Sequence, residues 1–185
     1  MVFLSGCSSA VKNYEYKVLS EEYVSDISVP NLDNKNILFV FDTHFESAYY
    51  NTPRENAVLT IIAETIVKNI VEQGGHADHQ LTSSAKFIVL SKHNYILKEE
   101  VIKVADDFRQ WTAKLYDVSD KKAPKLLYQQ LYSTKGALRC FESNGFLVPP
   151  DEACQIRYIQ HLLGHLSLIG ISNDVVQLIP AETTD

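Results

Sequence analysis

Basic excess is what this chain most lacks: 17 Lys and Arg stand against 23 Asp and Glu, a formal net charge of -6. Proteins that hold nucleic acid by neutralising phosphates carry the opposite balance, so general nucleic-acid binding is excluded. Long apolar runs are missing too. No stretch approaches the roughly 20 residues that a membrane-spanning helix needs. P-loop, GxGxxG, GxSxG and HExxH patterns are absent, which removes the sequence signatures of nucleotide-binding folds, serine hydrolases and zinc proteases. There are no internal repeats and no low-complexity segments. Cysteine is scarce, at three residues. What remains is a chain of 185 residues, 45% hydrophobic and 22% charged, the size and composition of one domain with a real core and some tail.

The three cysteines divide one from two. Cys7 closes the stretch Leu4-Ser5-Gly6-Cys7 and is followed by Ser8 and Ser9. This stretch resembles the lipobox of bacterial lipoproteins. The resemblance implies that the Cys7 thiol receives diacylglycerol and becomes the first residue of the mature chain. Ser8 at the next position implies sorting to the outer membrane. Only six residues precede Cys7 and none is basic. A secretory signal has a basic start and about 7–15 apolar residues, so the start is expected to be truncated. Cys140 and Cys154 are left as a pair. They bracket a segment containing Asn144-Gly145 and Pro149-Pro150, which reverses direction easily, and in an oxidising compartment they are expected to form a disulfide.

Hydrophobic patterning sets the expected elements. Residues 1–7 read as a signal remnant, 8–35 as a polar tether that has room for a short strand, and 36–180 as the folded domain. The run 36–41 (NILFVF) is that of a strand buried on both faces. From Thr52 a helix is predicted, with a Thr52/Glu55 capping box, Pro53 at its first position, apolar pairs at helical spacing and Gly74-Gly75 at its end. Residues 85–92 read as a second strand. Residues 96–106 fit either a short helix or an irregular strand. Alternation over 108–118 and a turn before 126–133 predict a hairpin. A second main helix is expected over 150–169, with Asp151 and Glu152 at its positive end, and a last strand over 174–179. The expected class is a single α/β sandwich of two or three layers, with a mixed sheet, a β-hairpin and two main helices.

The hairpin sequence WTAKLYDVSDKKAPKLLYQQLYS, with SSAKFIVLSK before it, resembles small envelope domains. These are the N-terminal domain of TolB, the curli secretion lipoprotein CsgG and the penicillin-binding-protein activator LpoB. The resemblance spans roughly residues 36–135. It implies an interaction module of the cell envelope.

Candidate chemistry is confined to four clusters. Asp42, His44 and Glu46 follow a buried strand, where α/β sheets often place ligands. His76, Asp78 and His79 read as residues of a Gly-rich turn, with two metal-capable imidazoles. His161 and His165 lie four apart on the second helix and so share one side, together with Cys154 and Tyr158; this stripe reads as a polar helix edge, while Ile156, Ile159, Leu163 and Leu166 point to the core. Tyr49, Tyr50, Tyr128 and Tyr132 are read as contributors to a protein-binding face. Asp78 beside His76 and His79 sits in a Gly-rich turn, and Cys154 beside His161 and His165 is a ligand only if it is not in a disulfide; no cluster supplies three convincing ligands, so no metal, other cofactor or catalytic residue is expected. The expected function is that of a non-enzymatic lipoprotein on the periplasmic side of the outer membrane. It is held there through lipid at Cys7 and assembles with a protein partner of a secretion, appendage or wall-synthesis machine. Two alternatives stand beside it: a metal-binding protein or hydrolase using His161/His165 or His76/His79, and a cytosolic α/β domain with an incidental start.

Overall fold

The apolar run at 36–41 becomes the strand around which the parallel part of a six-stranded mixed sheet is built. A computed structural model describes residues 14–24, 36–43, 53–82, 92–105, 108–141 and 151–173. In chain order these form β1 (Glu15–Tyr23), β2 (Asn36–Asp42), α1 (Pro53–Glu72), β3 (His76–Thr82), β4 (Tyr95–Ala105), β5 (Phe108–Asp117), β6 (Lys125–Lys135) and α2 (Glu152–Gly164). The sheet order is β1-β6-β5-β4-β2-β3. β2 lies parallel to both β3 and β4, and the other pairs are antiparallel.

The two faces of the sheet are unlike. Ile37, Phe39 and Phe41 of β2 join Leu97, Trp111, Leu115 and Tyr132 on one face, against which α1 and α2 pack. Leu38, Val40, Ile96 and Val118 form a smaller cluster on the other face. Both described helices thus cover one face, and the described residues make two layers.

Three stretches differ from the sequence reading. Residues 15–23, placed in the tether with room for a short strand, form a full edge strand, β1, paired along its length with β6. Residues 76–82, placed in a turn, form the opposite edge strand. Gly74, with φ of 84°, takes the left-handed turn that ends α1. The strand then starts at once and shows little alternation, because an edge strand buries little. Residues 95–105, left open between helix and strand, are β4. The expected strands at 85–92 (all but Lys92) and 174–179 lie outside the described residues, as do Cys7 and Thr52.

Two cross-links fasten the helices. The Glu55 carboxylate, expected in a capping box, accepts from Arg109 Nε and Nη2 at 3.3 and 3.2 Å and ties the start of α1 to β5. Cys140, in the 3-10 turn after β6, is bonded to Cys154 in the first turn of α2, with Cα atoms 5.5 Å apart. The same turn of α2 is capped by Asp151, whose carboxylate accepts from Cys154 N–H at 2.9 Å.

Candidate functional site

The stripe of α2 that carries Cys154, Tyr158, His161 and His165 faces inward, against the sequence reading of a polar edge. Cys154 and Tyr158 are fully buried and His165 is 4% exposed; His161 is half-buried. Ile159, Leu163 and Leu166 are buried as well, so α2 lays a broad face on the sheet. The histidines are tolerated there because the sheet supplies their partners.

The centre of the cluster is Glu99, on β4 and 0% exposed. Its Oε1 accepts from His165 Nδ1 at 2.8 Å and its Oε2 from the Tyr132 hydroxyl at 2.9 Å. His165 Nε2 lies 3.0 Å from Gln130 Oε1. Both ring nitrogens of His165 thus face oxygens of side chains on the sheet. A buried carboxylate without such partners would be very costly. Burial, together with the adjacent Glu99 charge, pushes the Tyr132 hydroxyl far above its ordinary range, so it stays a donor.

A second ring of contacts joins this centre to β1. Tyr16 stacks on His161, with ring centroids 3.7 Å apart, and its hydroxyl donates to Gln130 Oε1. Tyr14 donates to His161 Nδ1 at 2.7 Å. Burial pushes the Tyr14 hydroxyl well up. Burial, then the positive fields of His165 and Arg157, push His161 down to about 4, which keeps the ring neutral and able to accept. Further along, Gln130 Nε2 donates to Tyr128, and Tyr128 donates to Glu21 Oε1, each at 2.8 Å. Tyr128 and Tyr132, expected on a binding face, are instead buried members of this network, 3% and 0% exposed. The Tyr158 hydroxyl, also buried, finds no hydrogen-bond partner among the described residues.

The other sequence candidates are not gathered into a site. Asp42 forms an ion pair with Lys98 at 2.7 Å, on the sheet face away from the helices, and Lys98 and Lys114 both approach Glu100 at 3.5 Å. His44, Glu46, Tyr49 and Tyr50 lie outside the described residues. On β3, strand alternation turns His79 away from His76 and Asp78. Asp78 is taken by Lys92 at 2.6 Å and by His93 at 2.8 Å, and these two hydrogen bonds hold its carboxyl below the ordinary range. Among the described residues no three His, Cys, Asp or Glu side chains are grouped to hold a metal ion, and no helix is long and apolar enough to cross a membrane. The network members that sequence reasoning missed are Glu99, Gln130, Tyr14 and Tyr16. Glu99 had a signal: it occupies an inward position between Leu97 and Val101.

No protein-family model matches the sequence, and no curated protein matches it. Solved structures that match include two of the PelC dodecamer from Paraburkholderia phytofirmans, one of them a point variant. They share 14% and 13% identity with this chain, cover 86% of it and 98% and 99% of their own chains, and each has a TM-score of 0.39.

Proposed function

We propose that this chain is a non-enzymatic lipoprotein of the bacterial outer membrane, anchored through Cys7, whose α/β domain binds protein through the edge strand β1. One observation carries the binding half. Seven large apolar residues are exposed among those described, and four of them (Val18, Leu19, Tyr23 and Val24) fall on β1 or directly after it. The remaining three, Ile61, Val71 and Ile102, are scattered. An edge strand with apolar side chains and an open row of backbone groups is a ready surface for another chain. The groups capable of acid–base chemistry point the other way: Glu99, His165 and Tyr132 are buried and bonded to one another. The anchoring half rests on Leu4-Ser5-Gly6-Cys7 and the serines behind it. Several acyl chains hold a protein on a membrane where one would bind only marginally.

Both halves are testable in the bacterial host with the complete gene. A fatty-acid analogue should label the wild type and leave Cys7→Ser unlabelled; equal labelling removes the anchor. A photo-reactive residue at Tyr23, 59% exposed, should form protein adducts that the same residue at the helix position Glu64 does not. Adducts at neither position, or equally at both, remove the binding surface.

A further inference from the structure

The outer edge of β1, which no described strand pairs with, is complementary to itself, and we propose that its partner is a second copy of this chain, paired antiparallel through β1 about a two-fold axis. This rests on the binding reading above and names the partner of that surface. β1 pairs with β6 as Val18↔Tyr132 and then Ser20↔Leu131, so Leu19 is an extra residue. A bulge shifts the alternation of side chains by one. Lys17 sits opposite Ser133 and Glu22 opposite Gln129. These two positions of β6 share a face, so Lys17 and Glu22, five apart, also share it, on the side away from the helices. Tyr16, Val18, Glu21 and Tyr23 take the helix side.

Antiparallel strands set residues of the same face opposite one another. Pairing β1 with a copy of itself therefore requires a register that respects the shifted alternation. One such register sets Lys17 of each copy opposite Glu22 of the other. Tyr16 then meets Tyr23, Val18 meets Glu21, and Leu19 and Ser20 lie at the two-fold axis. Both lysines are matched by glutamates on one face. Sliding the copies by two residues in one direction sets Glu15 against Glu22, two like charges; sliding them in the other moves Lys17 to Val24 and Glu22 to Leu19, so that both Lys17–Glu22 pairs are lost. Registers shifted by one put residues of opposite faces together. Charges and a bulge commonly protect sheet edges from indiscriminate pairing; here they leave a matched register open to a second copy. The contact is isologous, as closed dimers require.

Charge reversal tests this without disturbing the core, because both residues are exposed. Sedimentation velocity on the purified chain should show a concentration-dependent dimer. Lys17→Glu and Glu22→Lys should each weaken its dissociation constant about tenfold or more, since two attractive pairs become two repulsive ones. The double variant should return to within about threefold of wild type. A wild type that stays monomeric up to its solubility limit, or a double variant no tighter than the singles, overturns the proposal. Photo-cross-linking in cells at Tyr23 separates this failure from that of the parent reading. A self-adduct supports the two-fold pairing. Adducts only with a different protein overturn it and leave the binding surface standing. Absence of any adduct removes both.

Discussion

The junction of α2 with β4 and β6, and the outer strand β1, use the same side-chain types to opposite effect. In the junction, glutamate and tyrosine are sealed from water, and each polar atom of Glu99, His165 and Gln130 is held by another. On β1, Glu15, Lys17, Glu21, Glu22 and Tyr23 are exposed, and only Tyr16 is half-buried. A buried polar group lacking its partner cannot turn to water, whereas an exposed one can. The same deletion should therefore be severe in one region and mild in the other.

The largest contrast is expected at glutamate. Glu99→Ala leaves His165 and Tyr132 buried without their acceptor and should cost about 3–5 kcal/mol in urea unfolding, whereas Glu15→Ala, at an exposed position of β1, should cost about 0.5 kcal/mol or less. Equal losses would abolish the distinction between the regions. Next comes the covalent tie on the junction side. Replacing Cys140 and Cys154 together by serine should cost about 3 kcal/mol, the loop-closure value for a ring of this length, and lower the unfolding midpoint accordingly. Tyr14→Phe acts at the border. It removes the bond to His161 and should cost about 1 kcal/mol. Its mark would be faster amide exchange in β1 with β4 and β5 unchanged; uniform acceleration would mean that β1 and the junction unfold as one unit.

A separate effect is expected from pH. His161 titrates at about 4 in the folded protein and near 6.5 unfolded. The unfolded chain therefore binds the proton first, and stability rises with pH between these values. The contribution is present above about 6.5 and is lost progressively as pH falls to about 4. Partial exposure of the ring trims its size through solvent screening. His161→Gln should flatten the stability profile over that interval; identical slopes for variant and wild type would assign the dependence to other groups.

Legibility in the sequence followed how local each signal is. α1 announced itself through helical periodicity and its glycine end, and the β5–β6 hairpin through alternation and a turn, because neighbours in sequence determine both. β2 was legible as an unbroken apolar run. β1 was legible only as room for a short strand in the tether, because charges interrupt its apolar residues and it exists by virtue of β6, more than a hundred residues away. β3, an edge, shows little alternation for the same lack of burial. β4 was ambiguous because Glu99 interrupts its inward apolar row, and the partner that makes this acceptable, His165, is 66 residues distant. The histidine pair was recognised as sharing a side of its helix. Its direction was misread because polar side chains ordinarily mark a solvent face; here that face meets Glu99, Gln130 and Tyr16.

The place of β1 in the sheet also has a consequence in time. It is the first described strand to leave the ribosome, yet its neighbour β6 is the last described strand to be made. At about 5–20 residues per second, β1 waits roughly 5–20 s for a partner while carrying Val18, Leu19 and Tyr23. Such a segment would aggregate if it were uncharged. Glu15, Lys17, Glu21 and Glu22 interrupt it and act as gatekeepers during the wait. Neutralising them together should leave the finished fold nearly unaltered and yet lower the yield of soluble protein, a cost incurred during synthesis and invisible in the equilibrium stability of the native chain.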